Sequence, residues 1–254
     1  TRLSGARLRA GFAHFRSHSA YTHRAPTAQE ILGRKGPVHT AEHIASGFFW
    51  LGVPFETIPP AEVYASKAAR ERVAGRLRSF GIASGEGYAV IHPTALFDTK
   101  RWKAAGFAEV SEYLEEQYGL RSVYICGETE VRTLDAVERQ APRPLLRAVG
   151  WPIRDLVALT AGARVFVGND SGPAHIAAAV RIPAVVIFGS SHSAVWSPWK
   201  AADSAVVQNF FDCNPCPGDR CYAFAEPRCI LSITSEQVKV CIDAMLQPGS
   251  TRIL

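Results

Sequence analysis

Long apolar runs and methionine are both nearly absent from this sequence. No segment approaches the roughly 20 apolar residues that a membrane-spanning helix needs, so no such span is predicted. The first 18 residues carry positive charge but no apolar core, which is not typical of a secretory signal. The only methionine is Met245, and because the chain does not begin with one, we expect a fragment whose upstream part is missing. Hydrophobic residues make up 47% and charged residues 20% of the chain, a balance that excludes intrinsic disorder.

Acidic residues are absent before Glu30, whereas the same stretch contains five arginines: Arg2, Arg7, Arg9, Arg16 and Arg24. Over all 254 residues the formal net charge is +5, and the isoelectric point is near 9.0. This excess favours acidic partners such as phosphates or anionic lipids, although +5 on a chain of this length is also unremarkable. No RNA-binding aromatic motif, zinc-finger spacing or basic leucine zipper is present, so we predict no nucleic-acid partner.

Short apolar runs alternate with helical patterns in the second part of the chain, which indicates a Rossmann-like α/β domain with a parallel sheet covered on both faces. The glycine-rich break Gly81–Gly87 is the predicted boundary, giving domains 1–84 and 85–254. Strands are predicted at Tyr88–His92, Ser122–Cys126, Arg164–Val167 and Ala184–Phe188. Helices are predicted at Ala41–Leu51, Ser66–Phe80, Ala105–Tyr118, Thr129–Gln140, Ile153–Ala161, Pro173–Val180 and Ser235–Leu246.

Ligands of such sheets bind beyond the carboxyl ends of the strands, so the residues after each strand are the candidates for a site. After Arg164–Val167 the chain continues Gly-Asn-Asp-Ser-Gly-Pro-Ala-His, from Gly168 to His175. Gly172 permits close approach to the backbone, and the N-terminus of the following helix can accept a phosphate. The alternative is a simple capped helix, in which Asp170 or Ser171 satisfies the backbone donors.

Two other loops should lie at the same edge of the sheet. Thr94 and Lys100 follow the strand Tyr88–His92, and they offer a hydroxyl donor and a positive charge. Glu128 and Glu130 follow the strand Ser122–Cys126, where an acidic residue often accepts from ribose hydroxyls. A carboxylate at the start of a helix, favoured by the helix dipole, is the alternative for each glutamate. Taken together, the three loops predict a site for a sugar nucleotide.

At these residues the chain resembles the ADP-heptose–lipopolysaccharide heptosyltransferases, family 9 of the glycosyltransferases. The most specific segment is Val165–Pro198, supported by Ile91–Trp102 and the turn Gly127–Glu130. Before residue 80 the resemblance is looser and is carried mainly by Gly36–His43. It implies a GT-B architecture, in which the C-terminal Rossmann-like domain binds the nucleotide-sugar donor and the N-terminal domain binds the acceptor.

The resemblance also implies roles for individual residues. Thr94 and Lys100 would hold the diphosphate, and Glu130, or alternatively Glu128, would hold the ribose. Ser171 and Gly172 would present hydroxyl and backbone donors to the phosphates. Asp170 and His175 would lie near the sugar or its diphosphate.

The implied activity is inverting transfer of heptose from ADP-heptose to the lipopolysaccharide inner core, in the cytoplasm at the inner membrane and without a cofactor. Complete enzymes of the family begin with a glycine-rich strand–loop motif whose Asp is proposed as the general base, and no segment here matches it. We therefore interpret residues 1–84 as a remnant of the acceptor-binding domain and leave the catalytic base unassigned. A non-catalytic nucleotide-sugar-binding module is the alternative, and an acceptor of another kind stays open. The absence of G-x-G-x-x-G after any strand argues against a dehydrogenase.

Four of the six cysteines fall close together in sequence, at Cys213, Cys216, Cys221 and Cys229. Thiolates at such spacings can form a structural zinc site, which is one prediction for this loop. Reduced structural thiols are the other reading, and disulfides are disfavoured if the protein is cytoplasmic. Cys126 and Cys241 fall in a predicted strand and helix, and we expect them in the core.

Overall fold

The computed structural model of the chain describes residues 1–201 and 203–247. The helices of this part, numbered in chain order, are α1 (Ala28–Leu32), α2 (Thr40–Trp50), α3 (Lys67–Ser79), α4 (Ala104–Tyr118), α5 (Val131–Glu138), α6 (Ile153–Ala161), α7 (Gly172–Ala179), α8 (Ser193–Trp196), α9 (Arg228–Leu231) and α10 (Ser235–Leu246). The strands are β1 (Ala10–Phe12), β2 (His23–Ala25), β3 (Tyr88–His92), β4 (Arg121–Cys126), β5 (Leu146–Val149), β6 (Val165–Asn169), β7 (Ala184–Phe188) and β8 (Ser204–Gln208).

The larger of two compact units comprises Pro60–Ser193 and the described residues from Lys200 onward. Its centre is a six-stranded, fully parallel sheet in the order β5-β4-β3-β6-β7-β8. Every residue of β3, β6 and β7 is buried, as expected of strands covered on both faces. Successive residues of β6 point to opposite faces, so Val165 joins the apolar cluster that contains α4 and α10, while Phe166 joins the cluster that contains α3 and α6. The predicted α/β fold with a parallel sheet is confirmed.

The smaller unit comprises Thr1–Pro59 and Ala194–Trp199. Its two short strands β1 and β2 pair in parallel. Thr27 and Glu30 form a reciprocal capping box that starts α1. His39 caps α2, and its Nε2 lies 2.7 Å from the carbonyl oxygen of Ser197, which ties the second segment of this unit to the first.

The larger unit begins earlier than the predicted boundary between residues 84 and 85, because α3 packs on α6. Arg72 holds the buried carboxylate of Asp155 through its Nη2 at 2.5 Å and its Nε at 3.2 Å. Arg76 lies 3.7 Å from the other carboxylate oxygen. The Arg72 hydrogen bond holds the pKa of Asp155 below its ordinary value in spite of burial, which favours the ionised pair. The acceptor-binding role of residues 1–84 stays a prediction, and residues 202 and 248–254 of the predicted second domain lie outside the described residues.

No helix in the described part of the chain combines the length and the apolar character that crossing a membrane requires.

Candidate functional site

Strands β3 and β6 are neighbours in the centre of the sheet, and their ends bring two loops together. Their register pairs His92 with Gly168. A Cβ added at Gly168 would lie 3.0 Å from both the Cβ and the carbonyl oxygen of His92, so glycine permits this close approach. The loop that begins at Pro93 therefore meets the loop that begins at Asp170, as the parallel arrangement predicts.

The buried side chain of Asn169 fixes these two loops to each other. Its Nδ2 donates to the carbonyl oxygen of Pro93 at 3.0 Å, and its Oδ1 accepts from the backbone N–H of Trp102 at 3.1 Å. Asn169 is completely buried, and both partners belong to the loop after β3. No role was predicted for Asn169 from the sequence. The available signal was a single amide residue at the end of an otherwise apolar strand.

Lys100 and Asp170 form an ion pair at the junction of the loops. The Lys100 Nζ lies 2.8 Å from the Asp170 Oδ2. Asp170 is largely buried, with 6% of its side chain exposed, whereas 24% of the Lys100 side chain is exposed. An ammonium group has three N–H donors, so the pair orients Lys100 and leaves donors for a second acceptor. Both residues were predicted for the site, but their direct contact was not.

The N-terminus of α7 lies immediately after Asp170 in sequence. Ser171 is the N-cap residue, with an extended backbone and no side-chain capping hydrogen bond. A Cβ added at Gly172 would have no other atom within 4 Å, so the space beside the first helical residue is open. Unsatisfied N–H groups and the positive end of the helix dipole together favour an anion at such a position. The alternative in which the Ser171 side chain caps the helix is therefore wrong. His175 is exposed within the first turn.

Thr94 is less accessible than a phosphate-binding hydroxyl was expected to be. Only 1% of it is exposed, and its Oγ1 lies 2.9 Å from the Nε2 of His92. His92 is itself buried, and its Nδ1 has no hydrogen-bond partner among the described residues. Burial lowers the pKa of His92 to about 4, although the charge of Glu130 opposes this shift. The contact of Thr94 with a diphosphate stays a prediction.

The two candidate glutamates for ribose binding differ in their surroundings. The Glu130 Oε2 accepts from the backbone N–H of Gly127 at 2.9 Å and so closes the turn after β4. Glu128 is exposed, and its side chain lies against Gly150. A Cβ added at Gly150 would be 2.6 Å from the Glu128 Cγ. Glu130 thus has the structural role that was its alternative, a carboxylate at the start of a helix. Ribose binding by either residue stays a prediction.

Acidification is expected to destabilise the fold through His92. The unfolded chain takes up a proton near the ordinary pKa of 6.5, whereas folded His92 does so only near pH 4. Neutral, buried His92 therefore contributes to the free energy of unfolding in full above pH 6.5. This contribution, about 3 kcal/mol, is lost as the pH falls toward 4. Chemical denaturation of the wild type and of His92→Gln across this pH range measures the effect. We expect a flatter pH dependence in the variant, and identical slopes would contradict the assignment.

The four neighbouring cysteines line one cavity of about 390 Å³ next to Thr99 and Ser190. All six cysteines are free thiols. In residues 1–201 and 203–247, no three or more His, Cys, Asp or Glu side chains are close enough together to hold a metal ion. Burial is the main cause that raises the pKa of the Cys229 thiol, which opposes formation of a thiolate ligand. Zinc binding by Cys213, Cys216, Cys221 and Cys229 stays a prediction.

Comparison with known proteins identifies relatives of this chain. Lipopolysaccharide heptosyltransferase 3 of Escherichia coli K12 is 34% identical over 116 residues, which are 44% of this chain and 33% of that protein. The matched segment is therefore only a third of that relative's length. ADP-heptose lipopolysaccharide heptosyltransferase II of Escherichia coli has the same fold, with a TM-score of 0.74 at 18% identity, over 95% of this chain and 70% of that chain. The E. coli heptosyltransferase WaaC, solved with ADP, gives a TM-score of 0.59 at 16% identity, over 93% and 65% of the two chains.

Family membership follows from a match that covers most of the sequence. Residues 1–223 match the family described as glycosyltransferase family 9 (heptosyltransferase). This range includes the N-terminal residues, where the resemblance in the sequence is loose, as well as the loops after β3, β4 and β6. The chain therefore belongs to glycosyltransferase family 9.

Proposed function

We propose that the loops after β3 and β6 bind the diphosphate of ADP-heptose and that the protein takes part in inverting heptosyl transfer to the lipopolysaccharide inner core. The ion pair between Lys100 and Asp170 is the observation that carries the proposal. Asp170 immediately precedes Ser171, the N-cap residue of α7, and the N-terminus of that helix is open. Positive charge and backbone N–H donors are the groups that a diphosphate requires. The E. coli ADP-heptose heptosyltransferase II and the WaaC structure with ADP support the choice of an adenine nucleotide.

In this reaction the site would bind the leaving group, ADP. An acceptor hydroxyl oxygen attacks the anomeric carbon while the bond from that carbon to the diphosphate oxygen breaks. The proton of the hydroxyl passes to a general base, for which we assign no residue. The departing ADP gains negative charge, which the Lys100 ammonium and the backbone N–H of Gly172 would stabilise. Fixed donors aimed at developing charge are usually the largest electrostatic contribution to such a step.

The remaining predicted residues complete the proposal. Glu130 or Glu128 would accept from the ribose hydroxyls, and Thr94 and Ser171 would donate to the diphosphate. Asp170 and His175 would lie near the sugar or its diphosphate. The arginines of the first 29 residues suit a phosphorylated acceptor at an anionic membrane surface. Peripheral action at the cytoplasmic face of the inner membrane is part of the same proposal.

A second candidate function is binding of a nucleotide sugar without transfer. It is favoured by one sequence observation, namely that no segment matches the glycine-rich strand–loop whose Asp is proposed as the general base of the family. Both functions use the same donor site, but only the first includes transfer of the heptose to an acceptor. An assay that follows heptose onto a lipopolysaccharide core acceptor distinguishes them, since a binding module retains affinity for ADP-heptose with no turnover.

Calorimetric titration with ADP, ADP-heptose, UDP and NAD tests the proposed donor. We expect ADP and ADP-heptose to bind and UDP and NAD to bind weakly or not at all. Equal affinity for UDP would contradict the assignment of an adenine nucleotide. Failure of all four ligands, repeated with any upstream residues of the parent gene restored, would contradict the proposed function itself.

A further inference from the structure

A single buried threonine connects the candidate site to the loop that carries three of the four clustered cysteines. We call residues 209–227 the cysteine loop. Thr99, with 2% of its surface exposed, precedes Lys100 in a short 3-10 turn, Asp98–Lys100. Its Oγ1 donates to the carbonyl oxygen of Gly218 in the cysteine loop. The same Oγ1 accepts from the Ser190 Oγ at 3.0 Å.

The chain that follows β7 lies between the 3-10 turn and the cysteine loop and is bonded to both. The backbone N–H of Ser190 donates to the carbonyl oxygen of Thr99 at 3.2 Å. The carbonyl oxygen of Ser190 accepts from the backbone N–H of Cys216 at 3.2 Å. The carbonyl oxygen of Gly189 accepts from the Nδ2 of Asn214 at 3.1 Å. The turn, the post-β7 segment and the cysteine loop therefore form one hydrogen-bonded assembly with Thr99 at its centre.

Other contacts position Lys100 itself. Its backbone N–H donates to the carbonyl oxygen of Phe97 at 3.0 Å, within the turn itself. Its Nζ contacts Asp170, which belongs to a different loop. The bonds of Thr99 hold the turn on one side, and the hydrogen bond between the Trp102 backbone N–H and Asn169 holds the chain two residues after Lys100. Since Thr99 and Lys100 are adjacent, a shift of one displaces the other.

We propose that Thr99 is a positioning residue for donor binding, and that through it the cysteine loop sets the location of the Lys100 ammonium. This inference rests on the proposed diphosphate role of Lys100. Thr99 itself touches no substrate, because its side chain is buried within the domain. A positioning role explains why a buried hydroxyl lies next to a lysine that faces the site. It also makes the order of the cysteine loop a determinant of nucleotide affinity.

A double-mutant cycle with ADP as the titrated ligand tests the proposal. Thr99→Val keeps the shape but removes the hydroxyl, and we expect ADP affinity to fall about fivefold to tenfold. Thr99→Ser retains the hydroxyl and should bind within about twofold of the wild type. If Thr99 acts through Lys100, Thr99→Val combined with Lys100→Ala binds no more weakly than Lys100→Ala alone. Independent, multiplicative losses would overturn the proposal.

Hydrogen–deuterium exchange separates this inference from the proposed function. Without nucleotide, Thr99→Val is expected to speed exchange in both residues 97–102 and residues 209–227, and Thr99→Ser is not. Acceleration confined to one of these segments would overturn the link between them. With ADP, slower exchange in 209–227 is expected in the wild type and should be lost in Thr99→Val. If the wild type binds no ADP, the proposed function fails, while the nucleotide-free comparison still decides the structural link.

Discussion

Replacing Lys100 with alanine is expected to weaken ADP binding about tenfold to a hundredfold, because it removes a charge-assisted hydrogen bond to the diphosphate. In an enzyme competent for transfer, turnover should fall by about 10² to 10³, as when one donor to developing negative charge is removed. The change also leaves the carboxylate of Asp170 without its partner at 2.8 Å. Calorimetry with ADP and a transfer assay measure the two effects.

Two further variants show which of these causes dominates. Lys67→Ala removes the same charge from a lysine of α3 whose side chain is 91% exposed, and it should leave ADP affinity unchanged. Lys100→Ala combined with Asp170→Asn removes the unpaired carboxylate. If affinity then returned to the wild-type value, Lys100 would serve only to neutralise Asp170, and its contact with the diphosphate would be excluded. We expect most of the loss to persist.

Gly189→Ala is expected to destabilise the protein by about 3 kcal/mol, because the new methyl group overpacks a fixed part of the core. Its Cβ would lie 2.1 Å from the carbonyl oxygen of Thr99 and 2.9 Å from the Cβ of Ile230. The first of these neighbours is backbone, which cannot move away without shifting the turn before Lys100. Urea denaturation should show the loss, and ADP affinity should fall with it.

Gly75→Ala is the matched control for this substitution. Gly75 lies within α3, and a Cβ there would have only the flexible end of Arg78 nearby, at 3.8 Å. Alanine is favoured over glycine in a helix, so we expect the control to stabilise the protein by about 0.5 to 1 kcal/mol. Equal free energies of unfolding for the two variants would show that the contact at Gly189 is not restrictive.

Strands buried on both faces were found from sequence, although β6 runs from Val165 to Asn169 and not from Arg164 to Val167 as predicted. Strands at the edges were missed. Tyr88–His92 and Ala184–Phe188 are continuous apolar runs, and their predicted bounds are confirmed. The edge strands β5 and β8 were not predicted, because half-exposed strands carry polar residues that interrupt the pattern. Arg147 of β5, for example, pairs with Asp135 and Glu138 of α5.

Helix ends were predicted where local capping decides them. The predicted bounds of α10, Ser235–Leu246, are confirmed, and a capping box of Thr234 and Gln237 starts this helix. The predicted helix Thr129–Gln140 instead begins with a 3-10 turn, Glu128–Glu130, and becomes α-helical at Val131. The side chain of Glu130 bonds back to the Gly127 amide there.

The candidate site was predictable as a set of loops but not as a set of contacts. Parallel strands place the loops after β3 and β6 at one edge, which a sequence pattern can indicate. The Lys100–Asp170 pair depends on the register of the two strands, which only the folded chain defines. The roles of Asn169 and Thr99 depend on burial and on partners 67 to 119 residues away in sequence. A single sequence gives no signal for such partners.

A crystal structure of the chain with ADP tests the central claim most directly. We expect diphosphate oxygens within hydrogen-bond distance of the Lys100 Nζ and of a backbone N–H in the first turn of α7, with the ribose toward the turn after β4. An ordered ADP whose diphosphate contacts neither Lys100 nor the α7 N-terminus would contradict the account.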